Sequence, residues 1–184
     1  MLRFPFALLL ALAPAGPAWS QGSLAERWAN GGAARTAGKI QAKPATQEFR
    51  ATVIRVIDGD SLVVKQANHQ ALEIRLYGID APEWGQEGGA EATAALRPLR
   101  GRTVTIRKMD TDEYSRMVAL VGLQGESVNL RQAALGHAWH YARYCREEPI
   151  CGEIKKAEER ARVMKRGLWA GKPVAPWLWR RRRI

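Results

Sequence analysis

The chain's 184 residues suit one domain with a tail or two. Its formal net charge of +11 draws it to polyanions, nucleic acid first among them; a solubility charge and a tether to an anionic cell surface are the alternatives. The apolar run at residues 6–13 is well below the roughly 18 residues of a membrane-spanning helix, so no transmembrane segment is expected in the mature protein.

Residues 1–20 read as a signal peptide. Arg3 supplies a basic start, residues 6–13 an apolar centre, and Ala18-Trp19-Ser20 small residues at the two positions a signal peptidase inspects. Removing this segment takes away only one positive charge, that of Arg3. An exported protein, periplasmic or secreted, is expected. Residues 21–47 are rich in Ala, Gly and basic side chains without sustained apolar periodicity, and read as a flexible arm.

The folded domain is expected over residues 48–170. Residues 51–57 form a β-branched run that stops at the turn Asp58-Gly59-Asp60, and residues 61–65 form a second strand. Asn68 falls in the next turn. Leu72, Ile74 and Leu76 alternate with Glu73, Arg75 and Tyr77, which predicts a half-buried strand with Arg75 on its polar side. Pro82 ends any strand at Asp80-Ala81-Pro82-Glu83. A helix is predicted over 88–100, with Pro98 set to kink or shorten its last turn. Residues 103–107 and 117–121 read as strands separated by a polar turn at 110–116. A second helix starts after Ser127 as N-cap and ends at Gly136. A third spans 152–166, with Ile154, Ala157, Ala161 and Met164 on one stripe and a Schellman-type stop at Gly167. Residues 171–184 form a Trp- and Arg-rich tail. It either adds phosphate attraction or is a solvated end or surface tether. Five short strands with helical additions predict a small barrel.

Cys145 and Cys151, six positions apart in a chain expected to be exported, point to a local disulfide. Metal binding is the competing reading. It lacks a second cysteine pair, and His137 and His140 do not have zinc-ligand spacing. The three histidines carry no assigned chemistry.

Asp60, Arg75, Asp80, Glu83 and Arg116 each sit at a strand end or in the turn after one, so a compact sheet can bring them to one site. Carboxylates offer hard oxygens to Ca²⁺ or Mg²⁺, and the turn at Pro82 lets the backbone carbonyl of Ala81 join them. A third carboxylate can orient or deprotonate water, and two arginines can grip phosphate bidentately. Cation, activated water and phosphate clamp are the requirements of phosphodiester cleavage. Each element alone has a plainer explanation. Asp58-Gly59-Asp60 can be a simple turn, Arg75 a solvated side chain, and Arg116 an ion-pair partner of Asp110 or Asp112.

Taken in order, Asp58-Gly59-Asp60-Ser61, Arg75-Leu76-Tyr77-Gly78-Ile79-Asp80-Ala81-Pro82-Glu83 and Asp112-Glu113-Tyr114-Ser115-Arg116 resemble the staphylococcal nuclease family, from about residue 50 to 169. The resemblance implies an α+β, mostly β, fold: a five-stranded OB-fold barrel with about three helices. It implies a Ca²⁺-dependent, sugar-non-specific endonuclease, with Mg²⁺ or Mn²⁺ as alternatives, that cuts DNA and, as a further candidate, RNA and leaves 3′-phosphate ends. By position, Asp60, Asp80 and the Ala81 carbonyl resemble the metal ligands. Arg75, Glu83 and Arg116 resemble the catalytic residues, and Tyr114 and Tyr144 resemble tyrosines around the bound nucleotide. A monomer is expected.

The chain also departs from the type protein of that family. Glu113 stands in place of a lysine, Ser115 in place of a glycine and Ala142 in place of a tyrosine, and the loop after Glu83 is shorter. The competing reading is a non-catalytic OB-fold module that binds nucleic acid or another polyanion in the cell envelope. The presence of all five site residues argues against it.

Overall fold

The computed structural model describes residues 47–182 except Asn68. The expected signal peptide, nearly all of the arm and Asn68 therefore lie outside the described residues.

Five strands close into a barrel: β1 (Glu48–Val56), β2 (Ser61–Lys65), β3 (Ala71–Leu76), β5 (Thr103–Thr111) and β6 (Met117–Leu123). The strand order is β3-β2-β1-β5-β6, and a parallel pairing of β3 with β6 joins the two ends. That seam has only three residue pairs, Ile74 with Met117, Arg75 with Val118 and Leu76 with Ala119. Register shifts at Val53/Arg55 in β1 and at Lys108/Asp110 in β5 supply the local bends that let short strands curl. Two small strands, β4 (Ile79–Asp80) and β8 (Trp139–His140), pair outside the barrel, and β7 (Glu126–Ser127) extends β6 as a hairpin. The sequence pattern did not anticipate these three, which are too short to show a period.

Among the described residues four helices flank the barrel: α1 (Gly89–Leu96), α2 (Val128–Ala134), α3 (Ile150–Val163) and α4 (Pro176–Arg182). Among the described residues none is long and apolar enough to cross a membrane. Pro98 acts as its chemistry requires: α1 ends at Leu96 and a 3₁₀ turn carries Arg97–Leu99. Ser127 caps α2, its hydroxyl accepting the Leu130 amide at 3.2 Å. The fourth helix lies in the segment read from sequence as a tail.

The end of α3 differs from expectation. The helix ends at Val163; Lys165, two residues on, takes the left-handed conformation at φ 51°, and the Arg166 amide reaches back to the Ala161 carbonyl at 2.9 Å. Met164, expected on the buried stripe, is therefore exposed. Gly167 meets a different constraint. A Cβ there would lie 2.5 Å from the Gly136 carbonyl oxygen, because the two backbones cross and the Leu168 amide donates to that oxygen at 2.9 Å.

The barrel interior holds Val53, Leu62, Val64, Ile74, Leu76, Val104, Ile106 and Val121, together with Leu96 of α1 and Ile154 of α3. A second, aromatic cluster groups Trp139, Ala161, Leu168, Trp169 and Ala175, with Trp177 packed against it. Cys145 and Cys151 form the expected disulfide, with Cα atoms 5.5 Å apart. Beside it the Tyr77 hydroxyl accepts the amides of Arg146 at 2.7 Å and Glu147 at 3.1 Å. The bridge and this hydroxyl together hold the loop between β8 and α3. Replacing both cysteines with alanine is expected to lower unfolding stability by about 2 kcal/mol, the loop-entropy value for a short closed loop. Urea titration of the double variant checks this.

Candidate active site

Asp60, Arg75, Asp80, Ala81 and Glu83 come together where β1, β2, β3 and β4 end. Asp60 closes the β1–β2 turn: its amide donates to Asp58 Oδ1 at 3.0 Å, and the Leu76 amide donates to its carbonyl at 2.8 Å. The turn lies against α1 so closely that a Cβ on Gly59 would sit 2.5 Å from Ala92 Cβ and 2.7 Å from Ala81 Cβ. Only glycine fits at that point. The buried Gln132 of α2 pins the arrangement, donating to the Gly59 carbonyl at 2.7 Å and the Ala92 carbonyl at 3.1 Å. One helical turn earlier, Asn129 accepts the Val121 amide at 2.9 Å and donates to the Tyr77 carbonyl at 2.9 Å. Gln132 thus holds the Asp60 turn, and Asn129 holds the end of β3.

Arg75 reaches from β3 between two buried carboxylates. Its Nη1 pairs with Asp60 Oδ1 at 2.5 Å and its Nη2 with Asp80 Oδ1 at 2.8 Å. Asp60 Oδ2 also accepts the Ala81 amide at 2.5 Å. Burial pushes the Asp60 carboxyl up to about 7, against the opposing pull of the Arg75 charge and the Ala81 amide. For Arg75, burial acts to lower the pKa, but the charges of Asp60 and Asp80 outweigh it and hold the pKa above its ordinary value.

Glu83 lies at the rim. Gln86, buried beneath it, accepts the Glu83 amide at 3.0 Å and donates to the Val174 carbonyl at 2.6 Å. The short loop after Glu83 is therefore a pinned turn, tied at one end to the acidic site and at the other to the chain entering α4. Trp84 stands 75% exposed beside it.

A fifth charged group, unforeseen from sequence, completes the cluster. Arg180 of α4 places Nη2 at 2.9 Å from Asp80 Oδ2, and Nη1 at 3.2 Å from Asp80 Oδ1 and 2.5 Å from Glu83 Oε1. Partial burial acts to lower the Arg180 pKa, yet the hydrogen bonds and charges of Asp80 and Glu83 raise it. Its sequence context, the first of four consecutive arginines, carried no sign of this placement.

Arg116 stands apart from this group. It precedes β6, beside β3 at the barrel seam, and directs its guanidinium to Asp112 at 2.8 Å and Glu73 at 3.7 Å. Asp112 organises that turn, its carboxylate also accepting the amides of Tyr114 at 3.0 Å and Arg116 at 2.9 Å. Ser115 adopts φ 62°, a left-handed conformation suited to glycine. Tyr114 and Tyr144 are 72% and 53% exposed, each with an arginine over its ring, Arg116 at 5.4 Å and Arg143 at 5.5 Å. Both are open to a stacking partner.

The donor set suits a hard cation, since Asp60, Asp80 and Glu83 present carboxylate oxygens only. In this arrangement those oxygens face guanidiniums. Among the described residues no three acidic, cysteine or histidine side chains converge on one point as a ready cation cage. The guanidinium of Arg180, bridging Asp80 and Glu83, shows that positive charge is accommodated there.

A closed five-stranded barrel with acids and arginines gathered at its strand ends defines an OB-like nuclease fold. Residues 73–171 match the family model described as staphylococcal nuclease homologue. The chain is 37% identical over 139 residues to an uncharacterized endonuclease of Escherichia coli O157:H7, covering 74% of this chain and 88% of that one. It is 34% identical over 153 residues to a micrococcal nuclease of Shigella flexneri, covering 77% and 86%. The chain belongs to the staphylococcal nuclease family and is a nuclease.

Two outcomes follow for the Arg116 turn. Ser115→Gly is expected to raise stability by a few tenths to about 1 kcal/mol, the left-handed penalty less the entropy of glycine, read from thermal unfolding. Partial burial acts to raise the Asp112 pKa, but hydrogen bonds from Arg116 and Tyr114 and the Arg116 charge hold it below its ordinary value. Its contribution is therefore fully present above the unfolded pKa of about 3.9 and is lost as pH falls through the lower folded value. Asp112→Asn should be less stable than wild type at pH 7 by about 1–2 kcal/mol, and the gap should shrink in unfolding curves taken below pH 4.

Proposed function

We propose that this nuclease is a Ca²⁺-dependent, sugar-non-specific endonuclease, and that Asp60, Arg75, Asp80, Glu83 and Arg116 carry its chemistry. The carrying observation is the convergence of Asp60, Arg75, Asp80 and Glu83 from separate strand ends into one half-buried cluster. In this reading Asp60 and Asp80, with the Ala81 carbonyl, hold the cation, which when bound offsets charge on the scissile phosphate. Mg²⁺ and Mn²⁺ are the alternatives the same oxygens allow.

Glu83 takes a proton from the attacking water as its oxygen bonds to phosphorus. The bond from phosphorus to the 5′-oxygen breaks, that oxygen leaves with the electron pair and is protonated from solvent, and the phosphate stays on the 3′ end. Arg75 and Arg116 face the phosphate oxygens as negative charge grows there. Two nitrogens of Arg75 already face carboxylates, so phosphate contact falls to its remaining donors. Tyr114 and Tyr144 supply exposed faces for nucleobases. The +11 charge supports attraction to DNA and RNA without sequence preference. The Cys145–Cys151 bridge supports an oxidising compartment and hence an exported, periplasmic or secreted protein.

The test is a panel of plasmid DNA, single-stranded DNA and RNA incubated with Ca²⁺, Mg²⁺, Mn²⁺ or chelator. Cleavage should require the cation, and the ends should block polymerase extension until a phosphatase removes the 3′-phosphate. Glu83→Gln should lose about 10²–10³-fold in rate with unfolding stability near wild type. Full cleavage in chelator, or full activity of Glu83→Gln, would sink the reading.

A further inference from the structure

We propose that Arg180 is a resident counter-ion of the acidic site, so that divalent-cation binding requires its guanidinium to leave and loosens α4. This rests on the assignment of Asp80 as a cation ligand made above.

The contacts are specific. Both oxygens of Asp80, which is 1% exposed, accept from Arg180, and the shortest of the three bonds goes to Glu83. Asp80 Oδ1 also accepts from Arg75, so both oxygens of this carboxylate are engaged by guanidiniums. A divalent ion binds carboxylate oxygen at roughly 2.3–2.6 Å. A guanidinium hydrogen-bonded to the same two oxygens would face it at close range, and two positive centres so near in a half-buried site repel strongly. Arg75, from a barrel strand and 14% exposed, has nowhere to go. Arg180 is 41% exposed and comes from a short two-turn helix, so it is the group that can move.

The helix is docked in a way that permits this. Trp177 anchors it, stacked on Tyr141 at 5.5 Å and 3° and edge-on to Trp139 at 6.4 Å. The chain entering it is held by Gln86 through the Val174 carbonyl. Beyond Trp177 the hold is weaker. Leu178 is 43% exposed, and the buried indole N–H of Trp179 meets no acceptor among the described residues. Trp177 can therefore remain as a hinge while the turn bearing Arg180 swings away. Because coupling between two binding events is reciprocal, whatever cation binding does to the Arg180 contact, that contact does to cation affinity.

The experiment measures cation affinity directly, by calorimetry with Ca²⁺ and by terbium luminescence, on the full mature chain. Arg180→Gln should bind the cation roughly tenfold or more tightly than wild type, within the usual range of such couplings. Arg181→Gln removes the same charge from the same helix without touching the acids and should change affinity little. In wild type, Ca²⁺ should speed amide hydrogen exchange in residues 178–182 and leave α3 unchanged. Equal or weaker affinity in Arg180→Gln, or an equal gain in Arg181→Gln, would overturn the proposal. Asp80→Asn separates the two readings. If it binds Ca²⁺ as wild type does, the ligand assignment falls. If it loses binding while Arg180→Gln behaves as wild type, only the counter-ion proposal falls.

Discussion

One buried guanidinium organises this molecule. Arg75 lies between Asp60 and Asp80, which are 5% and 1% exposed, and its charge offsets part of the cost of burying two carboxylates. The barrel can be read outward from it. β3 must end where it does to deliver Arg75, the β1–β2 turn must be tight enough to present Asp60, and β4 must fold back to present Asp80. The polar side chains of α2 and of the short loop then serve this trio. Gln132 holds the turn behind Asp60, Asn129 the end of β3, and Gln86 the backbone under Glu83. Each is a neutral amide directing its hydrogen bonds to backbone, which fixes position without adding charge.

This division of labour separates what was legible in the sequence from what was not. β2 is found at residues 61–65, as read, because a β-branched run between two turns has few other options. Ser127 caps α2 because capping is local chemistry. Errors arose where distant chain decided the outcome. β5 runs on to Thr111 because β6 is there to pair with it. α3 ends at Val163 with its left-handed turn at Lys165, while the glycine at 167 serves a backbone crossing with Gly136, a contact no local pattern displays.

The site divides along the same line. Asp60, Arg75, Asp80 and Glu83 form one group; the strand-end argument groups Arg116 with them, and Arg116 pairs instead with Asp112 and Glu73. Arg116 reaches its place through Asp112, which the sequence reading had weighed only as a plain ion-pair partner. Gln86, Asn129 and Gln132 were missed, although polar residues three apart on the buried face of α2 are a signal that can be sought. Arg180 could not have been found. Within a run of identical charged residues, only the helix phase and the tryptophan anchor single out one.

The barrel's seam carries a last consequence. Three parallel residue pairs between β3 and β6 close the sheet, and Arg75 is in the middle pair. Strand pairing between such distant stretches of chain is slow to form, because the intervening loop must be ordered first. Until Val118 lies beside Arg75 and Gln132 has reached the Gly59 carbonyl, the acids and arginines are scattered charges on an open chain. An unfolded copy therefore lacks the cluster altogether. The cluster thus exists only in the closed barrel, a dependence written into the topology of the sheet.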